Sequence, residues 1–145
     1  MKKYSMEMSR VITKQMEKII REVLDSTICP IFVIIFGSYA KGTTRVDSDL
    51  DIAYFTEKKH TDYERFSIAG ELSSKLNVEV DLIDIRKIDT VFAAQIYSTG
   101  ELLYCTNEPV FFKERIKIYS MYATLNEQRS EILEEIKRRG KVYGE

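Results

Sequence analysis

The chain has 145 residues, 44% apolar and 31% charged, enough for one domain with a core of its own. Its 22 basic and 23 acidic residues lack the basic excess that long RNA or DNA asks of a partner. Cys29 and Cys105 are too few for a disulfide framework and lie in no Cys-x-x-Cys spacing, so both are expected as reduced, core-type thiols.

The first nine residues carry lysines but no apolar stretch, so no signal peptide is expected. Ser9 offers a cap for a first helix, whose stripe Ile12, Met16, Ile19, Ile20, Val23 and Leu24 has helical spacing. Pro30 stops it. Residues 31–36, Ile-Phe-Val-Ile-Ile-Phe, are β-branched and aromatic on both faces and predict a fully buried strand. They are also the longest apolar run, far short of the roughly 20 residues a membrane helix needs, so a soluble, cytoplasmic protein is expected.

Gly37-Ser38 follows, then a short helix at 39–41, a polar loop and a second strand at about 50–55. Thr61 to Glu64 reads as a capping box opening a helix that lasts to about residue 76. A third strand is expected at 78–85, a short helix at about 88–98 ending before Gly100, and a short edge strand at 101–104. Pro109 suits the first turn of a long helix that runs to Arg139 and stops at Gly140. The pattern predicts an α/β (α+β) fold: a small mixed β-sheet flanked by helices. It forms one domain over 1–145, with a core at about 9–105 and a C-terminal helix at about 108–139.

Gly37, lacking a Cβ, lets the backbone turn sharply beside a ligand, and Ser38 adds an N–H and a hydroxyl that could hold an anion. Gly-Ser alone is weak evidence, since such a pair usually marks no more than a turn. Asp49 and Asp51 lie two apart at the start of a strand, so they share the face that continues as Ala53 and Phe55. Acids at the mouth of an apolar face need a partner or a metal, or else mark a solvated strand end. Asp81 likewise alternates with Ile83 and Ile85, while Glu79 and Asp84 are rival third acids; Asp84 falls on the opposite face. If the two strands pair, three carboxylates converge, and such like charges call for a cation between them. Oxygen ligands of this kind suit Mg²⁺.

Gly37-Ser38, ten intervening residues, Asp49-Leu50-Asp51 and the later Asp81 resemble the nucleotidyltransferase superfamily of the polymerase-β type. Ala40, Gly42 and Ser48 extend the match. Within that superfamily the chain is most similar to the minimal, MntA-type nucleotidyltransferases, antitoxins paired with HEPN-domain toxins. Residues 80–84, the short helix before Gly100 and the long last helix fit that group, and there is no room for the added domains of larger polymerases. Lys41 stands where relatives often carry Arg, keeping the charge. The resemblance implies the nucleotidyltransferase fold and a protein adenylyltransferase that moves AMP from ATP to a tyrosine of a HEPN-type (HepT-like) RNase toxin. It implies that Gly37, Ser38 and Ser48 contact the nucleotide, with Lys41 and Arg45 offsetting triphosphate charge. Asp49, Asp51 and Asp81 would be both the catalytic residues and the ligands of two Mg²⁺ ions.

The last helix would extend about 45 Å. Its first half bears Phe111, Phe112, Ile116, Ile118, Tyr119, Met121, Tyr122 and Leu125 on more than one face, so part of it is expected to meet a partner protein. The second half reads as a solvated, charged end with Glu134–Arg138 and Glu135–Arg139 pairs. His60, in a Lys-Lys-His-Thr loop, is expected to be exposed. Two other functions remain compatible: a nucleotidyltransferase acting on a small molecule such as an aminoglycoside, and an antitoxin that only binds.

Overall fold

The computed structural model describes residues 12–42 and 48–143. The first helix, α1 (Lys14–Asp25), is capped by Thr13, whose hydroxyl accepts the Met16 N–H at 3.1 Å; the expected cap at Ser9 lies outside the described residues. Then come β1 (Phe32–Phe36), the four-residue helix α2 (Ser38–Lys41) and β2 (Leu50–Phe55). Helix α3 (Asp62–Leu76) opens on the expected capping box, with both Thr61–Glu64 hydrogen bonds made. Next are β3 (Val80–Asp84), α4 (Thr90–Thr99), β4 (Glu101–Cys105) and α5 (Glu108–Tyr143). The third strand is shorter than expected because Ile85–Lys87 form a 3₁₀ turn, started when the Asp84 carboxylate accepts the Arg86 N–H.

The strand order is β3-β2-β1-β4. Strand β1 runs antiparallel to both β2 and β4, whereas β2 and β3 are parallel, so the sheet is mixed. Alternation along the strands sends side chains to two separate cores. Val33, Ile35, Ile52, Tyr54 and Leu82 pack under Ile20, Val23 and Leu24 of α1 and Ile68 and Leu72 of α3. Phe32, Ile34, Phe36, Ala53 and Phe55 pack under Ala93, Ile96 and Tyr97 of α4 and Phe111 of α5. Phe32 stacks on Phe55 at 5.1 Å and meets the edge of Phe111 at 4.9 Å, which anchors the start of the long helix. Gly100 is needed where α4 turns into β4: a Cβ there would sit 2.5 Å from Ile34 Cγ2.

Three expectations are corrected here. The first concerns α5, which runs through Gly140 to Tyr143 and does not stop at Gly140. Cys29 is exposed and Cys105 only partly covered, and neither is disulfide-bonded. Cys29 follows the end of α1 at φ +45°, where its thiol donates to the Asp25 carbonyl at 3.1 Å on the exposed side. On α5, Phe111 is buried, whereas Phe112, Ile116, Tyr119 and Met121 are exposed, as a partner-facing surface requires. The second half is not purely charged in character, because Ile132, Leu133 and Ile136 are about 60% exposed there. Its ion pairs centre on Glu135, which meets Arg139 at 3.1 Å and also pairs with Arg138.

Candidate functional site

The parallel pairing of β2 with β3 sets Asp51 and Asp81 opposite each other, each the second residue of its strand. Both point to the face that carries Ala53, Phe55 and Ile83. Asp49 stands just ahead of β2 and is exposed. The Asp51 carboxyl is pushed up from 3.8 to about 6, first by burial, then by the charge of Asp81, then by that of Asp49. The three acids therefore lie in one another's field at the mouth of an apolar layer. Of the rivals, Glu79 is exposed ahead of β3 with its carbonyl accepting the Leu50 N–H at 2.8 Å, and Asp84 faces the other core.

Strand β1 ends beside this cluster, since Phe36 pairs with Asp51. Gly37 then adopts φ +72°, ψ −148°, which residues with a Cβ rarely take. A Cβ built there would also run into the Asp51 carboxylate, only 3.2 Å from its Cγ. The turn and the acid thus share one space. Ser38 begins α2, Lys41 N–H donates back to the Gly37 carbonyl at 3.1 Å, and Gly42 ends the turn in the left-handed region. Four residues carry little helix dipole, so an anion here would depend on individual N–H groups. Lys41 is exposed, Ser48 is half-buried, and Arg45 lies outside the described residues.

Among the described residues no group of three His, Cys, Asp or Glu side chains is closed tightly enough to hold a metal ion alone. The donor chemistry nevertheless fits Mg²⁺, which keeps several waters and is shared between one or two carboxylates and substrate phosphates. The raised Asp51 carboxyl points the same way, because a cation would relieve the repulsion that raises it.

His60 was expected in solvent, but its side chain is only 4% exposed. Its Nε2 meets the Tyr54 hydroxyl and lies 3.8 Å from Asp84 Oδ2, while Asp84 also binds Arg86 Nη2 at 3.2 Å. Burial and the neighbouring Asp84 charge push the Tyr54 hydroxyl above its ordinary value. Tyr54 and Asp84 share the sheet face opposite Asp51 and Asp81, and the buried Asp84 carboxylate needs partners there.

Residues 17–109 match the family model described as polymerase beta, nucleotidyltransferase. Over 121 residues the chain is 32% identical to the protein adenylyltransferase MntA of Shewanella oneidensis, covering 82% of this chain and 85% of that one. It is similar to a chain in a crystal structure of a toxin–antitoxin with AMP-PNP, with a TM-score of 0.73 and 31% identity over 83% of this chain and 98% of that chain. A second similar structure is the tri-AMPylated Shewanella oneidensis HEPN toxin in complex with MNT antitoxin. There the TM-score is 0.70 and the identity 27%, over 86% of this chain and 98% of the matched one.

Proposed function

The chain belongs to the polymerase-β nucleotidyltransferase family, and on that premise we propose that it is an antitoxin adenylyltransferase. It transfers AMP from ATP to a tyrosine hydroxyl of a HEPN-type RNase toxin and so silences it. The observation that carries this reading is the register of Asp51 against Asp81, with Asp49 beside them and Gly37 across the gap. Identity to an adenylyltransferase and similarity to antitoxin complexes, one holding an ATP analogue, support the substrate and the partner. We read the polymerase-β core and α5 as one minimal unit, α5 offering Phe112, Ile116, Tyr119 and Met121 to the toxin.

A tyrosine hydroxyl has a pKa near 10 and is a poor nucleophile at neutral pH. Asp49, Asp51 and Asp81 would hold two Mg²⁺ ions, which when bound lower that barrier and neutralise the departing pyrophosphate. Gly37 lets the turn close on the triphosphate without a clash, and Ser38 donates to it. Lys41, Arg45 and Ser48 supply charge and hydrogen bonds from the loop. The tyrosine Oη bonds to the α-phosphorus, the bond from that phosphorus to the bridging oxygen breaks, and pyrophosphate leaves. Asp81 takes the phenolic proton.

The test incubates the chain with the HEPN toxin, Mg²⁺ and ATP labelled at either the α- or the γ-phosphate. Label from the α-phosphate alone, recovered on tyrosine, is expected. Label on neither, with a tight complex still formed, would mean an antitoxin that only binds.

A further inference from the structure

Strand β3 lies at the edge of the sheet, so one neighbour, β2, sets its register. Parallel pairs are slightly less stable per residue than antiparallel ones, and this one spans five residue pairs. A slip of two residues would keep every side chain on its own face yet move Asp81 about 6.6 Å along the strand. The buried Val80 and Leu82 side chains oppose such a slip, and so do hydrogen bonds outside the ladder. Ser73 Oγ accepts the Val80 N–H at 2.9 Å, and Arg65 Nη1 donates to the Leu82 carbonyl at 3.2 Å, but both ties run to α3. A third tie reaches β2 itself. Tyr54 of β2 and Asp84 of β3 are register partners, and the buried His60 ring stands between their polar ends. Asp84 is fixed in turn by the Arg86 N–H at 3.0 Å and the guanidinium at 3.2 Å.

We propose that His60 is a positioning residue for the transfer reaction: by bonding the Tyr54 hydroxyl of β2 and packing against Asp84 of β3 it steadies the register of the two strands and holds Asp81 opposite Asp51. The lock sits three register pairs from the acids and on the opposite face of the sheet, so His60 touches no substrate. The role rests on the adenylyltransferase reading, since it is defined by what Asp51 and Asp81 do together. A misplacement of about 1 Å at a reacting centre can cost on the order of 100-fold in rate, so partial loss of register is enough to matter. ATP anchoring should be spared, because Gly37 and Ser38 lie where β1 turns into α2 and not on β3.

The experiment compares the full chain with His60→Phe, which fills the space but breaks both contacts, and with His60→Gln, whose amide can renew them. Three quantities are read: kcat for AMP transfer, KM for ATP, and Mn²⁺ affinity from the electron paramagnetic resonance signal of free Mn²⁺. For His60→Phe we expect kcat to fall about 10- to 100-fold and Mn²⁺ affinity about tenfold, with KM for ATP within about twofold of wild type. His60→Gln should recover most of both losses. A His60→Phe protein that melts earlier yet keeps kcat and Mn²⁺ affinity would overturn the role and leave His60 a packing residue. If that variant does not fold, Tyr54→Phe, which removes one hydroxyl, is judged by the same criteria. A wild type that transfers no AMP, while Mn²⁺ affinity still drops in the variant, would sink the activity and leave the register lock standing. Unchanged Mn²⁺ affinity in that case would sink the lock as well.

Discussion

Gly37 and the Asp51 carboxylate occupy one space: the turn passes so close to β2 that a Cβ on residue 37 would collide with the acid. The loop that would take the phosphates and the acids that would take the metal are therefore one packed unit.

Gly37→Ala meets two penalties. The positive φ costs a residue with a Cβ about 1–3 kcal/mol, and the collision must displace Asp51. Urea denaturation should show a loss of that size, and AMP transfer should fall at least 100-fold, beyond what the lost stability explains.

The elevated Asp51 carboxyl makes stability fall with rising pH. Between 3.8 and about 6 the folded protein keeps a proton at Asp51 that the unfolded chain releases, so folding is progressively disfavoured as pH climbs through that window. Solvent screening at this half-exposed group reduces the penalty to on the order of 1 kcal/mol. Without metal, Asp51→Asn should therefore be more stable than wild type at pH 7, and the advantage should vanish below pH 4. Thermal melts at the two pH values check this, and Mg²⁺ added at pH 7 should stabilise only the wild type.

Much of this was legible in the chain, and the failures have a common physical cause. Residues 50–55 and the Thr61 capping box read correctly because their signals are local: strand alternation and a reciprocal pair three residues apart. Asp49, Asp51 and Asp81 stood out because acids interrupt apolar alternation. Their convergence was conditional on β2 pairing with β3, a long-range event that no window of sequence encodes. His60 was misread for the same reason, since its burial depends on Tyr54 and Asp84 meeting across that pairing. Ile132, Leu133 and Ile136 were hidden by the charged residues around them on α5. Their exposure agrees with the solvated second half expected of a helix about 45 Å long; what was missed is that apolar side chains share it.

Ile116 is 61% exposed on α5, so it can be charged without disturbing the core. Ile116→Asp should leave stability within about 0.5 kcal/mol of wild type. Binding to the toxin, followed by calorimetry, should weaken at least tenfold, and KM for the toxin should rise while KM for ATP stays put. Unchanged toxin affinity would remove this face of the helix from the interface.

Asp81 is the most direct point of attack, because it reaches the site only through the β2–β3 register and contributes nothing to the core. The decisive measurement is single-turnover transfer of AMP to the HEPN toxin by wild type and Asp81→Ala, each first checked by circular dichroism and thermal melting. The variant should fold as wild type does and lose at least a thousandfold in rate. A folded Asp81→Ala protein that adenylylates the toxin at the wild-type rate would contradict the claim that acids from two strands act as one centre.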